Sequence, residues 1–157
     1  MFKKKIFYFF FTIIIFFIDR ISKYWAIKYL NVEDQFVIIL SPFLNLNLIW
    51  NEGIAFGLLS FGEKNLYNIL TGLIILVTIV VIYLSIKAKG IEKYSFMMIS
   101  GGSLGNIFDR LFYQAVPDFI DIHYENFHWF IFNVADIFIT LGVFILIFRE
   151  FGLKIKN

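Results

Sequence analysis

The chain has 157 residues, of which 60% are hydrophobic and 17% are charged, and its formal net charge is +2. Because about half of the residues of a soluble domain are apolar, this composition indicates an integral membrane protein, and we expect one domain over residues 1–157. Cysteine is absent, which excludes disulfides, thiolate catalysis and cysteine-bound metals, and no basic patch indicates nucleic-acid binding.

Four apolar stretches are long enough to be membrane-spanning helices, since about 20 apolar residues cross a hydrocarbon layer of ~30 Å. The predicted spans are 5–24, 66–86, 94–112 and 129–149. The first span follows three lysines, as the apolar region of a signal peptide does. No small-residue cleavage site follows it, so we interpret it as a retained helix.

The basic residues predict how the spans are oriented. Most of them flank the inner ends of the predicted spans: Lys3, Lys4, Lys5, Lys87, Lys89, Lys93, Arg149, Lys154 and Lys156. The connections 25–65 and 113–128 contain only Lys28 and Lys64. By the positive-inside rule, both termini face the cytoplasm and these two connections face outward. The predicted fold class is a membrane all-α protein with four transmembrane helices in an N-in/C-in arrangement.

The longer outer connection mixes short apolar runs with asparagine, glycine, aromatics and Pro42. This pattern favours short strands on the outer membrane surface. The stretch NEGIAFG, from Asn51 to Gly57, contains two glycines suited to tight backbone geometry and could form a flap. A simple surface hairpin is the alternative. We place this small extracytoplasmic β-cradle and flap at 36–62.

Ionisable residues on three spans are predicted to lie in one outer layer. At the helical rise, Asp19 lies about 20 Å above the start of its span, and Asp109 and Arg110 lie about 22 Å above theirs. Asp136 lies about 10 Å below the outer end of the fourth span. Buried charges usually face a cavity or one another, although Asp19, Asp109 and Arg110 could simply end their helices at the interface.

Two polar helix faces support a lined pocket in this layer. Asn133 and Asp136 are i, i+3 neighbours, and Asn106, Asp109 and Arg110 share a second face.

Two other kinds of active site are disfavoured by the sequence. Gly101 and Gly105 spell G-x-S-x-G around Ser103, but that motif needs a strand-to-helix elbow, whereas Ser103 is predicted within a helix. Close helix packing is the simpler interpretation of the glycine pair, and a rhomboid-like arrangement of Ser103 stays open as a minor alternative. A zinc protease is disfavoured because H-E-x-x-H is absent and His123 and His128, five apart, do not share a helix face. We therefore expect no metal in the site.

A carboxylate pair is the remaining candidate. Pro117 favours an extended backbone around it, which places Asp118 on the same, apolar side as Ile120 and Ile122. Asp118 and Asp136 could then face each other, as in an aspartyl protease, where one carboxylate ionises and the other keeps its proton. Our hypothesis is that Asp136, as the more buried, carries the proton.

Five motifs in order resemble lipoprotein signal peptidase, the bacterial type II signal peptidase family, over essentially the whole chain. They are D-x-x-S-K at Asp19–Lys23, N-x-G-x-A-F-G at Asn51–Gly57, G-G-x-x-G-N-x-x-D-R at Gly101–Arg110, V-x-D-F-I at Val116–Ile120 and F-N-x-A-D at Phe132–Asp136. The resemblance implies four transmembrane helices, a β-cradle and a half-helix flap, with catalytic Asp118 and Asp136. It implies supporting roles for Asp19, Lys23, Asn51, Gly53, Asn106, Arg110 and Asn133, to which the polar face described above adds Asp109.

The resemblance also implies the chemistry. The expected substrate is a prolipoprotein whose cysteine carries a diacylglyceryl group, cleaved just before that cysteine at the outer face of the bacterial cytoplasmic membrane. Membrane lipid and globomycin-type inhibitors are the other expected partners, no cofactor is required, and we expect a monomer. The alternatives are a small transporter or proton relay using intramembrane carboxylates, and a non-enzymatic scaffold.

Overall fold

The computed structural model describes residues 2–30, 37–53, 64–125 and 127–155. Within them the chain forms, in order, α1 (Phe2–Tyr29), β1 (Ile38–Ser41), β2 (Leu44–Asn51), α2 (Lys64–Lys87), α3 (Gly90–Phe112), β3 (Val116–Tyr124), β4 (Phe127–Phe132) and α4 (Val134–Ile155). The protein thus has four long helices and a small sheet in the described part of the chain.

The helices have 28, 24, 23 and 22 residues. At about 1.5 Å per residue, each is longer than the ~30 Å hydrocarbon layer. Among the described residues, one stretch, Leu66–Lys87 of α2, is both long and apolar enough to meet a composition test for a membrane span. Its side chains point mostly away from the protein, as Ile69 and Leu73 do.

Helix α3 is central, because it packs against each of the other three helices. Its glycines allow close approach to α1: a Cβ on Gly101 would lie 2.8 Å from Ile15, and one on Gly105 would collide with a carboxylate oxygen of Asp19. The geometry therefore agrees with the packing interpretation of this glycine pair. At the other end of α3, Glu92 forms an ion pair with Arg149 of α4, so these two helices run antiparallel.

The sheet has the order β1-β2-β3-β4, and each neighbouring pair is antiparallel. It packs on the end of α1, where Ala26, Leu30, Leu48 and Phe119 form a buried apolar cluster. Strands β1 and β2 lie within the predicted cradle at 36–62. Strands β3 and β4 add a second hairpin from the connection predicted at 113–128. The part of the predicted flap at 54–63 lies outside the described residues.

The predicted start of the fourth span was wrong. Residues 129–132 belong to β4, where Phe130 pairs with Ile122 and Phe132 pairs with Ile120, and the helix begins at Val134. The run from Trp129 to Phe132 is apolar, aromatic and short. Such a run fits a strand or a helix equally well by composition, and strand pairing with distant residues decides between them.

Candidate active site

Asp118 lies on β3 with its side chain buried, since 3% of the residue is exposed. One carboxylate oxygen accepts a hydrogen bond from Asn51 Nδ2 at 2.8 Å, and the other accepts one from Asn133 Nδ2 at 2.6 Å. The strand predicted after Pro117 is confirmed. The expected contrast between its two faces was wrong, because Ile122 is exposed on the side of Asp118.

Asp136 lies in the first turn of α4, where it forms a reciprocal cap with Asn133. The Asp136 N–H donates to Asn133 Oδ1 at 3.1 Å, and the Asn133 N–H donates to Asp136 Oδ2 at 3.2 Å. This is a capping box, which satisfies two N–H groups at the start of a helix. Asn133 and Asp136 are therefore close because Asn133 precedes the helix as its cap, rather than because both lie on one helix face. Asn106 Nδ2 donates to Asp136 Oδ1 at 2.8 Å.

Three asparagines present their NH2 groups to the two carboxylates, and their orientations are fixed by groups that can only donate. The amide oxygen of Asn106 faces the ammonium of Lys23, and that of Asn51 accepts the N–H of Gly53. The amide oxygen of Asn133 accepts the N–H of Asp136. Because an ammonium or a backbone N–H cannot accept a hydrogen bond, each amide nitrogen must point toward a carboxylate.

Both carboxylates line one cavity of about 210 Å³. Asn106 and Arg110 of α3 and Asn51 of β2 also line it. The remaining wall includes three residues from helices and one from β3: Ile74, Ser103, Ile139 and Val116. Helices and strands thus converge on a space large enough for a water molecule and part of a peptide.

The pKa of Asp118 is raised from its ordinary value of 3.8 to about 6. Burial is the largest cause, because it disfavours the charged form, and repulsion by the Asp136 carboxylate is the second. The amides of Asn51 and Asn133 oppose this rise by donating to the ionised form.

Asp118 is the less exposed of the two carboxyl residues, whereas Asp136 is half-buried. Exposed surface therefore does not make Asp136 the more buried, and the hypothesis that it carries the proton stays a prediction.

A buried ion cluster supports this cavity from the side of α1. Lys23 Nζ lies 2.7 Å from Asp109 Oδ2 and 3.1 Å from Asp19 Oδ2. Arg20 donates to both oxygens of Asp109, at 2.5 and 2.7 Å, and to Asp19 at 2.8 Å. Two carboxylates and two cations therefore compensate one another. Removing one partner would leave an uncompensated buried charge, which is strongly destabilising.

The ion cluster positions both the start of α4 and the Asn106 amide. Asp19 Oδ1 accepts the backbone N–H of Ala135 at 2.9 Å, so this carboxylate lies at the positive end of the α4 dipole. Lys23 Nζ donates to Asn106 Oδ1 at 2.7 Å, which turns the Asn106 amide toward Asp136. The third donor of the ammonium is thereby used, and Lys23 is almost fully buried.

Arg110 connects α3 to the end of β2. Its Nη2 donates to the carbonyl of Gly53 at 2.8 Å, and Gly53 donates in turn to Asn51. A chain of hydrogen bonds therefore runs from Arg110 through Gly53 and Asn51 to Asp118. With these bonds, every predicted site residue belongs to one connected network.

Sequence reasoning missed two features. Arg20 was not among the predicted residues, although it follows Asp19 directly and its guanidinium also stacks on Phe108, 4.8 Å from the ring centroid. An arginine next to a predicted buried aspartate was the available signal. His123 and His128 do meet, across paired strands rather than along a helix. The argument from helix spacing therefore did not apply to them.

Comparison with known proteins identifies close relatives. A family model described as Signal peptidase (SPase) II matches residues 11–152. A lipoprotein signal peptidase of Pelagibacter ubique is 51% identical over 138 residues, which cover 88% of this chain and 83% of the relative. One from Francisella tularensis subsp. novicida is 41% identical over 161 residues, covering 100% of this chain and 99% of the relative. The resemblance carried by the five motifs is thus confirmed.

A solved structure has the same architecture. A bacterial membrane enzyme determined by the in meso method at 2.3 Å resolution superposes with a TM-score of 0.77. The two are 27% identical, and the match covers 92% of this chain and 87% of that chain.

Proposed function

Because the chain belongs to the signal peptidase II family, we propose that Asp118 and Asp136 form the catalytic pair of this membrane protease. The protein is an enzyme that cleaves signal peptides from prolipoproteins. The observation that carries the proposal is the shared cavity. Two carboxylates from different elements line it, and three asparagine amides hold them there.

The proposed reaction uses the two carboxyl groups in different protonation states. The ionised carboxylate takes a proton from a water molecule, whose oxygen attacks the scissile carbonyl carbon. The protonated carboxyl donates its proton to the carbonyl oxygen, and the resulting diol collapses as the amide nitrogen is protonated and leaves. The raised pKa of Asp118 makes its carboxyl easier to protonate than an ordinary aspartate, which supports one proton being shared by the pair. The amides of Asn51, Asn106 and Asn133 keep the remaining lone pairs aimed into the cavity.

An apolar groove beside the cavity supports a lipid-modified substrate. This groove, of about 640 Å³, shares Asp136 and Ile139 with the polar cavity. Its other lining residues are mainly aromatic and aliphatic: Ile122, Phe130, Phe132, Ile137, Thr140, Leu141 and Phe144. A diacylglyceryl chain in the groove would hold the adjacent peptide bond next to Asp136. We propose that the bond so placed is the one just before the lipidated cysteine, and that globomycin-type inhibitors occupy the same space.

The proposed membrane arrangement is one domain with four spans, both termini in the cytoplasm, and the site at the outer leaflet of the bacterial cytoplasmic membrane. The distribution of lysines supports it. Because the chain has no cysteine, single introduced cysteines report topology cleanly. We expect Glu125→Cys to react with a membrane-impermeant maleimide on intact cells, and Lys89→Cys to react only after permeabilisation. Labelling of Lys89→Cys from outside would overturn the orientation.

A proton relay or transporter is not favoured. A relay needs acidic or basic groups across the membrane, whereas Leu66 to Ile86 contains no Asp, Glu, His, Lys or Arg. The carboxylates of the candidate site instead line or adjoin a single cavity.

The decisive experiment is a gel-shift assay of purified enzyme on a diacylglyceryl prolipoprotein and on the same protein without lipid. Asp118→Asn and Asp136→Asn should bind the lipidated substrate and lose activity by at least about 10³-fold, since each removes an acid–base group. Asp121→Asn is the matched control: this buried aspartate lies on the same strand but does not line the cavity. Near-normal turnover by either cavity variant would contradict the dyad. Equal cleavage of both substrates would contradict lipid recognition.

A further inference from the structure

A second polar cluster lies on the hairpin of β3 and β4, away from the cavity. It consists of Asp121, His123 and His128, whose ligand atoms all lie within 4.8 Å of one another. His123 and His128 are directly paired across the two strands, and their rings stack with centroids 5.2 Å apart. Asp121 precedes His123 by two residues on the same strand. Strand register therefore assembles the cluster from two segments of the hairpin.

The cluster holds a buried charge beside polar atoms that have no partner in the described part of the chain. Asp121 is 1% exposed, and its carboxylate contacts His128 Nδ1 at 2.8 and 3.0 Å. His123 Nδ1 is buried without a hydrogen-bond partner. The Oδ1 atom of Asn45 is also buried without a hydrogen-bond partner. Asn45 lies on β2, directly opposite Asp121 on β3. Buried polar atoms are normally satisfied, so these two atoms beside a carboxylate point to a binding site.

We propose that Asp121, His123 and His128 bind a divalent transition-metal ion of the zinc or copper class. Two imidazoles and a carboxylate suit such ions, whereas calcium and magnesium prefer oxygen ligands alone. Two ligand atoms that share one ion at ~2.1 Å cannot be more than ~4.2 Å apart. The cluster therefore needs to close by less than about 1 Å from its present 4.8 Å span. His128 can make this movement, because its side chain is 54% exposed.

The metal would crosslink the two strands that carry the catalytic region. Asp121 lies three residues after Asp118 on β3, and β4 ends immediately before Asn133. None of the three proposed ligands lines the cavity, so the ion would stabilise the hairpin rather than take part in peptide hydrolysis. This inference stands on the hairpin geometry and does not depend on the proposed peptidase mechanism.

The test uses the full chain purified in detergent without a polyhistidine tag. Calorimetric titration with Zn²⁺ should show about one equivalent bound with a micromolar or tighter Kd, and His128→Ala should weaken binding by about 10-fold or more. Glu125→Gln, which removes an exposed carboxyl from the same hairpin, should bind as wild type does. With Cu²⁺ as the probe, electron paramagnetic resonance should show coupling to two imidazole nitrogens. The chain contains two histidines, so these signals can come from no other side chains.

Unchanged binding by His128→Ala would overturn the proposal, as would a copper spectrum without imidazole nitrogen coupling. His123→Ala is the second variant, and it should remove one of the two nitrogen couplings. His128 is exposed but pairs with the buried Asp121 carboxylate, so His128→Asn, which keeps a donor for that carboxylate, is measured beside His128→Ala and should weaken binding as well. The test therefore stands even where His128→Ala or His123→Ala fails to fold. Loss of peptidase activity in the cavity variants would leave these binding results unaffected.

Discussion

The raised pKa of the Asp118 carboxyl predicts how the stability of the protein depends on pH. Its pKa is raised in the folded protein to about 6 from an ordinary value of 3.8. A carboxyl with a raised folded-state pKa contributes its full stability below about pH 4, and that contribution is lost as the pH rises through about 6. A pKa difference of about 2 corresponds to about 3 kcal/mol. Asp118→Asn removes this titration. From pH 4 to pH 8, the free energy of unfolding of the variant should therefore rise by about 3 kcal/mol relative to that of wild type.

The test compares the stability difference between variant and wild type at two pH values, because the difference at a single pH contains another contribution. The amide introduced by Asp118→Asn would turn its NH2 toward the amide of Asn51 or Asn133, and that mismatch costs about 1–3 kcal/mol at every pH. The repulsion between Asp118 and Asp136 is already part of the raised pKa of Asp118, so its removal adds no separate gain. Thermal unfolding in detergent at pH 4 and pH 8 provides the measurement, with Glu125→Gln as the control for an exposed carboxyl. A Tm difference between variant and wild type that stays constant over this range would refute the burial argument.

Two further predictions concern the coupling within the site and the packing behind it. Asp136→Asn should lower the pKa of Asp118 toward its ordinary value without reaching it, because the repulsion is removed while the burial remains. Carboxyl ¹³C NMR titration of aspartate-labelled protein measures this pKa. An unchanged pKa of Asp118 would show that the two groups are not coupled. Gly105→Ala should cost about 3 kcal/mol or abolish folding, since its Cβ would collide with Asp19 Oδ2 and displace a buried, paired carboxylate. The matched control is Gly72→Ala within α2, whose Cβ meets nothing within 4 Å and which should not lower the melting temperature.

Local patterns in the sequence determined much of this protein. The second and third helices lie close to their predicted ranges and the first contains its predicted range, because the length of an apolar run is a property of adjacent residues. Alternating span directions predicted that Asp19, Asp109 and Asp136 would lie at similar depth, and the three belong to one network through Lys23 and Asn106. The five ordered motifs identified the family, and the extended conformation around Asp118 followed from Pro117. These inferences needed no knowledge of which distant segments meet.

Tertiary structure decided the features that depend on pairing between distant segments. Residues 129–132 became a strand because β3 offered an edge to pair with, and their composition alone favoured neither state. The orientation of each asparagine amide is fixed by a donor that sequence spacing does not reveal, such as Lys23 for Asn106. The same is true of the Asp121, His123 and His128 cluster, which exists only in one strand register. A shift of one residue would turn alternate side chains to the other face, so contacts of this kind cannot be read from spacing along the chain.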